Sequence, residues 1–142
     1  MWSIITRLYI GDKQDSEDIF LLKSKRIDLT INLANEITPK NTVIENIDCH
    51  LFDGSNEAKD IEFAVNSIVE NYKAGKTVFV YCSGCLSRTP AITALALVKL
   101  GEFKTYEKAL KYIEKIKGLV MVHPRLERCI KEYSKIILPK ND

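Results

Sequence analysis

The residues best equipped for chemistry in this chain are Cys82 and Arg88, five residues apart in the run Cys82-Ser83-Gly84-Cys85-Leu86-Ser87-Arg88-Thr89-Pro90. A short apolar run, residues 77–81, precedes them. A helical pattern begins at Thr89, with Pro90 in a favourable first-turn position. A loop of this length between a strand and a helix can fold its main-chain N–H groups inward as a nest, and the helix start adds its positive end; both attract anions. Arg88 closes such a cup with a planar fork matched to two phosphate oxygens. Cys82, at the floor, sits where the field favours the thiolate, the form of sulfur that attacks. We therefore expect Ser83, Gly84, Cys85, Leu86, Ser87 and Arg88 to bind phosphate, and Cys82 to accept a phosphoryl group.

The surrounding pattern supplies the elements that would hold this loop. Short β-branched runs predict strands over residues 4–10, 29–33, 46–51 and 77–81. A helix is expected near residues 16–23, and a second over 57–72, with Ile61, Ala64, Val65, Ile68, Val69 and Tyr72 on one stripe and Gly75 past its end. Residues 89–100 are apolar nearly all round and predict a central buried helix. Amphipathic helices over 105–117 and 124–137 follow, the first on Tyr106, Ala109, Leu110, Ile113 and Ile116, the second on Leu126, Ile130, Tyr133 and Ile137. Strands alternating with helices, then a helical second half, imply an α/β fold: one layered domain over residues 1–142, with a mainly parallel central sheet flanked by helices. Ligands of such sheets sit off the carboxyl ends of the strands, where Cys82 falls.

Composition narrows the function classes. The 142 residues include 46% apolar and 28% charged, enough for a core without disulfides or metal. A formal charge of +2 is too balanced for nonspecific nucleic-acid binding. The longest nearly apolar stretch, residues 90–98, is about half of what crosses a bilayer. The first residues lack the pattern of a signal peptide, so the expected address is the cytoplasm and the four cysteines are expected to be reduced. We expect no cofactor, no membrane association and a monomer. No metal is expected either, since a zinc site from Cys49, His50, Cys82 and Cys85 would occupy the nucleophile. His50 and His123 are read as packing or hydrogen-bonding residues, Cys129 as structural, and Arg125 and Arg128 as a solvated face.

The loop and its flanks resemble the cysteine-dependent protein phosphatases, whose signature is His-Cys-x5-Arg followed by Ser or Thr. The likeness is strongest to the small dual-specificity branch, and by eye it covers nearly the whole chain, including residues 5–11, 27–34, 106–113 and Val122-His123-Pro124. The resemblance implies that Cys82 is the nucleophile, that Arg88 binds substrate and transition-state oxygens, and that Thr89 supplies the hydroxyl that eases departure of the sulfur. It also implies a proton donor for the leaving oxygen on a loop about thirty residues upstream. Asp53, which stands 29 residues before Cys82 and beside Gly54, fits an exposed, mobile turn there; Asp48, Glu57 and Asp60 are rivals. The substrates implied are phosphotyrosine, with phosphoserine and phosphothreonine, in proteins. RNA 5′-phosphates enter by family analogy alone.

Two residues depart from the signature. Tyr81 stands where the family has the loop-bracing His. Cys85 stands where it usually has a Gly, at a position expected to need a positive φ or a close ligand approach, which a Cys meets at a cost of about 1 to 3 kcal/mol unless Gly84 absorbs it. Cys85 also completes a Cys82-Ser83-Gly84-Cys85 pair, a possible redox partner for the nucleophile. Two other classes compete: a phosphate-binding module without turnover, favoured by these departures, and thiol chemistry as a C-x-x-C oxidoreductase or a sulfurtransferase. The second fits poorly, because a sulfurtransferase of the rhodanese kind has a shorter loop between its Cys and Arg.

Overall fold

The computed structural model describes residues 1–41 and 43–137, so the last residues of the expected unit and the side chain of Ile137 lie outside it. Five strands form one sheet: β1 (Trp2–Ile5), β2 (Leu8–Gly11), β3 (Leu29–Ala34), β4 (Glu45–Leu51) and β5 (Val78–Tyr81). Their order across the sheet is β1-β2-β5-β3-β4. Only β1 with β2 is antiparallel; β2 with β5, β5 with β3 and β3 with β4 are parallel. The helices are α1 (Lys13–Glu17), α2 (Ile19–Ser24), α3 (Ala58–Lys73), α4 (Arg88–Lys99), α5 (Tyr106–Lys117) and α6 (Pro124–Ile137). This is the layered α/β domain with a mainly parallel sheet that the sequence pattern implied.

The side-chain alternation of β5 divides the interior. Val78, Val80 and Cys82 face the main core, which α3 to α6 complete with Ile61, Ile68, Leu95, Leu97, Ile113 and Leu126. Phe79 and Tyr81 face the other side and stack, with centroids 5.5 Å apart, in a smaller cluster with Leu22 and Ile27. Gly11 lies opposite Tyr81 in the β2–β5 register, and a Cβ there would stand 2.8 Å from the Phe79 ring, so the strand end passes where only glycine fits. Helix α4 is the central one: its residues from Arg88 through Leu97 are all buried.

Two expected elements are divided. Residues 4–10 are not one strand but a hairpin, because Arg7 turns the chain at φ 68°. Its guanidinium reaches the last turn of α3, donating to the carbonyls of Tyr72 and Lys76 at 3.0 and 2.8 Å. A cation at the negative end of a helix is favourable there, and the guanidinium also lies 4.3 Å over the Tyr72 ring. The helix expected over residues 16–23 is two, because Asp18 caps a fresh start by accepting from the N–H of Leu21. The stripe of α3 packs as expected, with Ile61, Ala64, Val65, Ile68 and Val69 buried.

Candidate active site

The parallel sheet ends β5 beside β3, and both strand ends open onto the loop of residues 82–88. Two carbonyls of this loop are held by neighbouring segments: Ser83 O accepts the N–H of Lys13 at the start of α1, and Leu86 O accepts the N–H of Met121 in the segment between α5 and α6. The N–H groups of residues 83–88 find no acceptor among the described residues. They lie at the N-terminus of α4, where partial positive charge accumulates. Cys82 lies at the base, 3% exposed, and is unbridged. Amides without an acceptor, a helix start and a buried thiol thus share the end of β5.

Glycine is not what shapes the loop. Cys85 holds the left-handed conformation, at φ 57°, while Gly84 is not in that region. The positive φ expected at position 85 is met by Cys85 itself, and the alternative in which Gly84 absorbs it is not the one the chain takes. Burial, and then the nearby charge of Cys82, pushes the Cys85 thiol upward and keeps it protonated.

Arg88 is nearly enclosed and does not stand alone. One terminal nitrogen donates to Glu36 Oε1 at 2.7 Å and to the carbonyl of Leu51 at 2.9 Å, and the other donates to Glu36 Oε2 at 2.5 Å. That uses three of the five guanidinium protons and leaves Nε–H and one Nη2–H, an edge of two parallel donors matched to an oxyanion. Burial opposes the charge of Arg88, but the bond to Glu36 and the charges of Cys82, Glu36 and Asp53 outweigh it and raise its pKa. Glu36 in turn is held down at about 2 by its bond to Arg88, with Ser83 Oγ donating to Oε2 at 2.7 Å.

Glu36 is the functional residue that the sequence reasoning missed. The signal was available: it lies two positions past the end of β3, the neighbour of β5, where side chains reach a ligand. The Leu51 carbonyl is aimed by a bulge. Between Asn32↔Asp48 and Ala34↔Leu51, two steps on β3 oppose three on β4, with His50 at φ 54°.

Asp53 follows that bulge and is brought to the loop, where Ser87 Oγ donates to its Oδ1 at 2.5 Å. It is exposed, as expected, but its turn is tied: Asn56 accepts the N–H of Phe52 and donates to the carbonyls of Phe52 and Gly54. The rival carboxylates are engaged elsewhere. Asp48 accepts from Asn32 and Asn46 on the sheet, Glu57 pairs with Lys59 at 3.3 Å, and Asp60 sits in the first turn of α3. Thr89 is fully buried in the first turn of α4, and its hydroxyl has no hydrogen-bond partner among the described residues.

Tyr81, in place of the signature His, does not brace the loop. It lies on the sheet face opposite Cys82, and its hydroxyl donates to Asn46 on β4 at 3.5 Å. Burial, and then the charge of Asp48, lifts it to about 12. Among the described residues no three of His, Cys, Asp or Glu converge as a metal site, and no helix is long and apolar enough to cross a membrane. Arg125 and Arg128 are exposed on α6.

Over residues 8–136 the chain matches the family model of the dual specificity phosphatase catalytic domain. Its fold is similar to that of human DUSP28, with a TM-score of 0.84 and 15% identity over 95% of this chain and 96% of that one. It is similar to a human tyrosine phosphatase-like serine/threonine/tyrosine-interacting protein, at a TM-score of 0.83 and 18% identity over 98% of each chain. A phosphatidylglycerophosphate phosphatase of Arabidopsis thaliana, PTPMT2, is 28% identical over 83 residues, 58% of this chain. That match spans 36% of the relative's own length.

Proposed function

The chain belongs to the dual specificity phosphatase catalytic-domain family, and on that premise we propose that it hydrolyses phosphomonoesters of protein side chains through a phosphocysteine intermediate. The observation that carries this reading is the loop itself, with the Ser83 and Leu86 carbonyls held by neighbouring segments, its N–H groups without an acceptor among the described residues, and two donors of Arg88 left free at the start of α4. The Cys82 thiolate attacks phosphorus as the bond to the ester oxygen breaks. Asp53 gives its proton to that oxygen, because an alkoxide or phenolate leaves poorly without one. Water then attacks the phosphocysteine, Asp53 takes a proton from it, and the thiolate leaves with help from the Thr89 hydroxyl. Phosphate is released and every group returns to its starting state. The amides and Arg88 stabilise the charge on the non-bridging oxygens throughout.

Phosphotyrosine, with phosphoserine and phosphothreonine, is the substrate class we propose. The absence of Lys and Arg from positions 83–87 favours a singly phosphorylated group over one carrying several phosphates. One observation favours a second reading. Phe52, Leu86, Leu119 and Met121 are exposed apolar residues on the three segments that meet at the loop, a rim suited to a phospholipid monoester, and one relative carries a phospholipid phosphatase name.

A steady-state assay with p-nitrophenyl phosphate tests the chemistry. Cys82→Ser abolishes turnover and retains phosphate binding, Arg88→Ala loses both, and vanadate but not EDTA inhibits. Cys82-independent turnover refutes the mechanism, and its absence in the wild type favours the binding module. Parallel assays on phosphopeptides, phosphatidylglycerophosphate in vesicles and RNA 5′-ends decide the substrate.

A further inference from the structure

Three segments distant in sequence meet at one hydroxyl. Ser87 Oγ lies 2.5 Å from Asp53 Oδ1 and 2.9 Å from the main-chain nitrogen of His123, and the residue is 7% exposed. A hydroxyl has one proton and two lone pairs. The His123 N–H can only donate, so it must take a lone pair of Ser87, which leaves the hydroxyl proton for the carboxylate. Direction is thereby fixed along the chain His123 N–H to Ser87 O–H to Asp53 Oδ1. Oδ1 is occupied as an acceptor, and Oδ2 is the oxygen left to carry a proton.

We propose that Ser87 is a positioning residue for proton transfer: it holds the Asp53 carboxylate over the loop with Oδ2 presented to the ester oxygen of the substrate. This deepens the reading above and rests on Asp53 as proton donor. The geometry separates the two tasks of the loop. The main chain around residue 87 belongs to phosphate binding, whereas its side chain serves leaving-group departure. The Asn56 bonds position the turn as a whole, and the Ser87 hydroxyl aims the carboxylate within it.

A leaving-group comparison tests this, because a well-activated phenol needs little proton donation and a poor one needs much. In Ser87→Ala, kcat/KM for phenyl phosphate falls about tenfold while that for p-nitrophenyl phosphate falls no more than about threefold, as expected for a displaced rather than missing donor. The inhibition constant of inorganic phosphate stays within about twofold, which reports an intact loop. Ser87→Thr restores the ratio between the two substrates. Should the alanine variant fail to fold, Ser87→Cys, nearly isosteric but a weak donor, shows the same ordering. In an Asp53→Ala background the Ser87 substitution does not change the ratio further, since the two act as one unit. Equal losses on both substrates in Ser87→Ala, beside a discriminating Asp53→Ala, overturn the role of Ser87 alone. An Asp53→Ala variant that treats both substrates alike removes Asp53 as the donor and the proposal with it.

Discussion

Glu36 grips Arg88 with both carboxylate oxygens, at 2.7 and 2.5 Å, from a position 52 residues earlier in the chain. The guanidinium has no other side-chain partner among the described residues, so the direction of its free edge depends on this one carboxylate. The end of β3 thus sets the orientation of a group at the start of α4.

Glu36→Gln keeps one acceptor and loses the charge and the symmetric second bond. Arg88 then samples orientations in which its free edge misses the oxyanion, so KM for p-nitrophenyl phosphate rises about tenfold while kcat changes less than about threefold. Glu36→Ala shows a larger rise. Steady-state kinetics decide it, and an unchanged KM in both variants shows that the Leu51 carbonyl suffices.

The same pair sets an acid limit. Glu36 titrates at about 2 in the folded protein against an ordinary value of 4.5. A depressed folded value stabilises the fold fully above about 4.5, and this contribution disappears as pH falls towards about 2. The Glu36 side chain is 54% exposed, so screening keeps the effect below about 1 kcal/mol. Urea unfolding is expected to separate wild type from Glu36→Gln at pH 6 and to show them converging by pH 2; a gap that persists at pH 2 contradicts the linkage.

At position 85 the usual ranking of small residues reverses. Cys85 sits at φ 57°, where a Cβ is strained and glycine is not. Cys85→Gly is therefore expected to be more stable than Cys85→Ala by about 1 kcal/mol, although glycine ordinarily costs stability relative to alanine. Chemical denaturation of the two variants checks the order.

Oxidation of the Cys82-Cys85 pair is expected to depend on alkali. Hydrogen peroxide first oxidises the Cys82 thiolate to a sulfenic acid, its O–O bond breaking with release of hydroxide. The Cys85 thiolate then attacks that sulfur and expels a second hydroxide, which takes a proton from water, to form the disulfide. Burial keeps Cys85 protonated, so this second step is slow near neutrality and quickens as pH rises. Mass spectrometry after brief peroxide treatment at pH 7 and pH 9 should find more of the bridged peptide at the higher pH. Equal yields show that Cys85 does not limit the reaction.

The placement of the loop was legible because its determinants are local. A strand end, five intervening residues and a helix start fix where Cys82, Arg88 and the loop amides fall. Asp53 followed from the resemblance and from its place beside Gly54. Glu36, and the role of the Ser87 hydroxyl, were not legible, because each depends on a pairing between segments more than thirty residues apart that only the sheet order creates. The splitting of residues 4–10 was hidden for a related reason. Arg7 turns the chain, and what anchors it there is the C-terminal end of α3, a contact with no trace in the local β-branched pattern.

Met121 and His123 secure the active-site loop through their peptide nitrogens alone, one on the Leu86 carbonyl and one on the Ser87 hydroxyl. The Met121 side chain is exposed and takes no part in that hold, whereas the His123 side chain has a separate task, its Nδ1 accepting the N–H of Arg125 at the start of α6 at 3.1 Å. A saturation scan would score position 121 as permissive, while deleting a single residue between α5 and α6 would shift the register of both nitrogens at once. The length of this segment therefore matters to the loop more than the side chain at position 121 does.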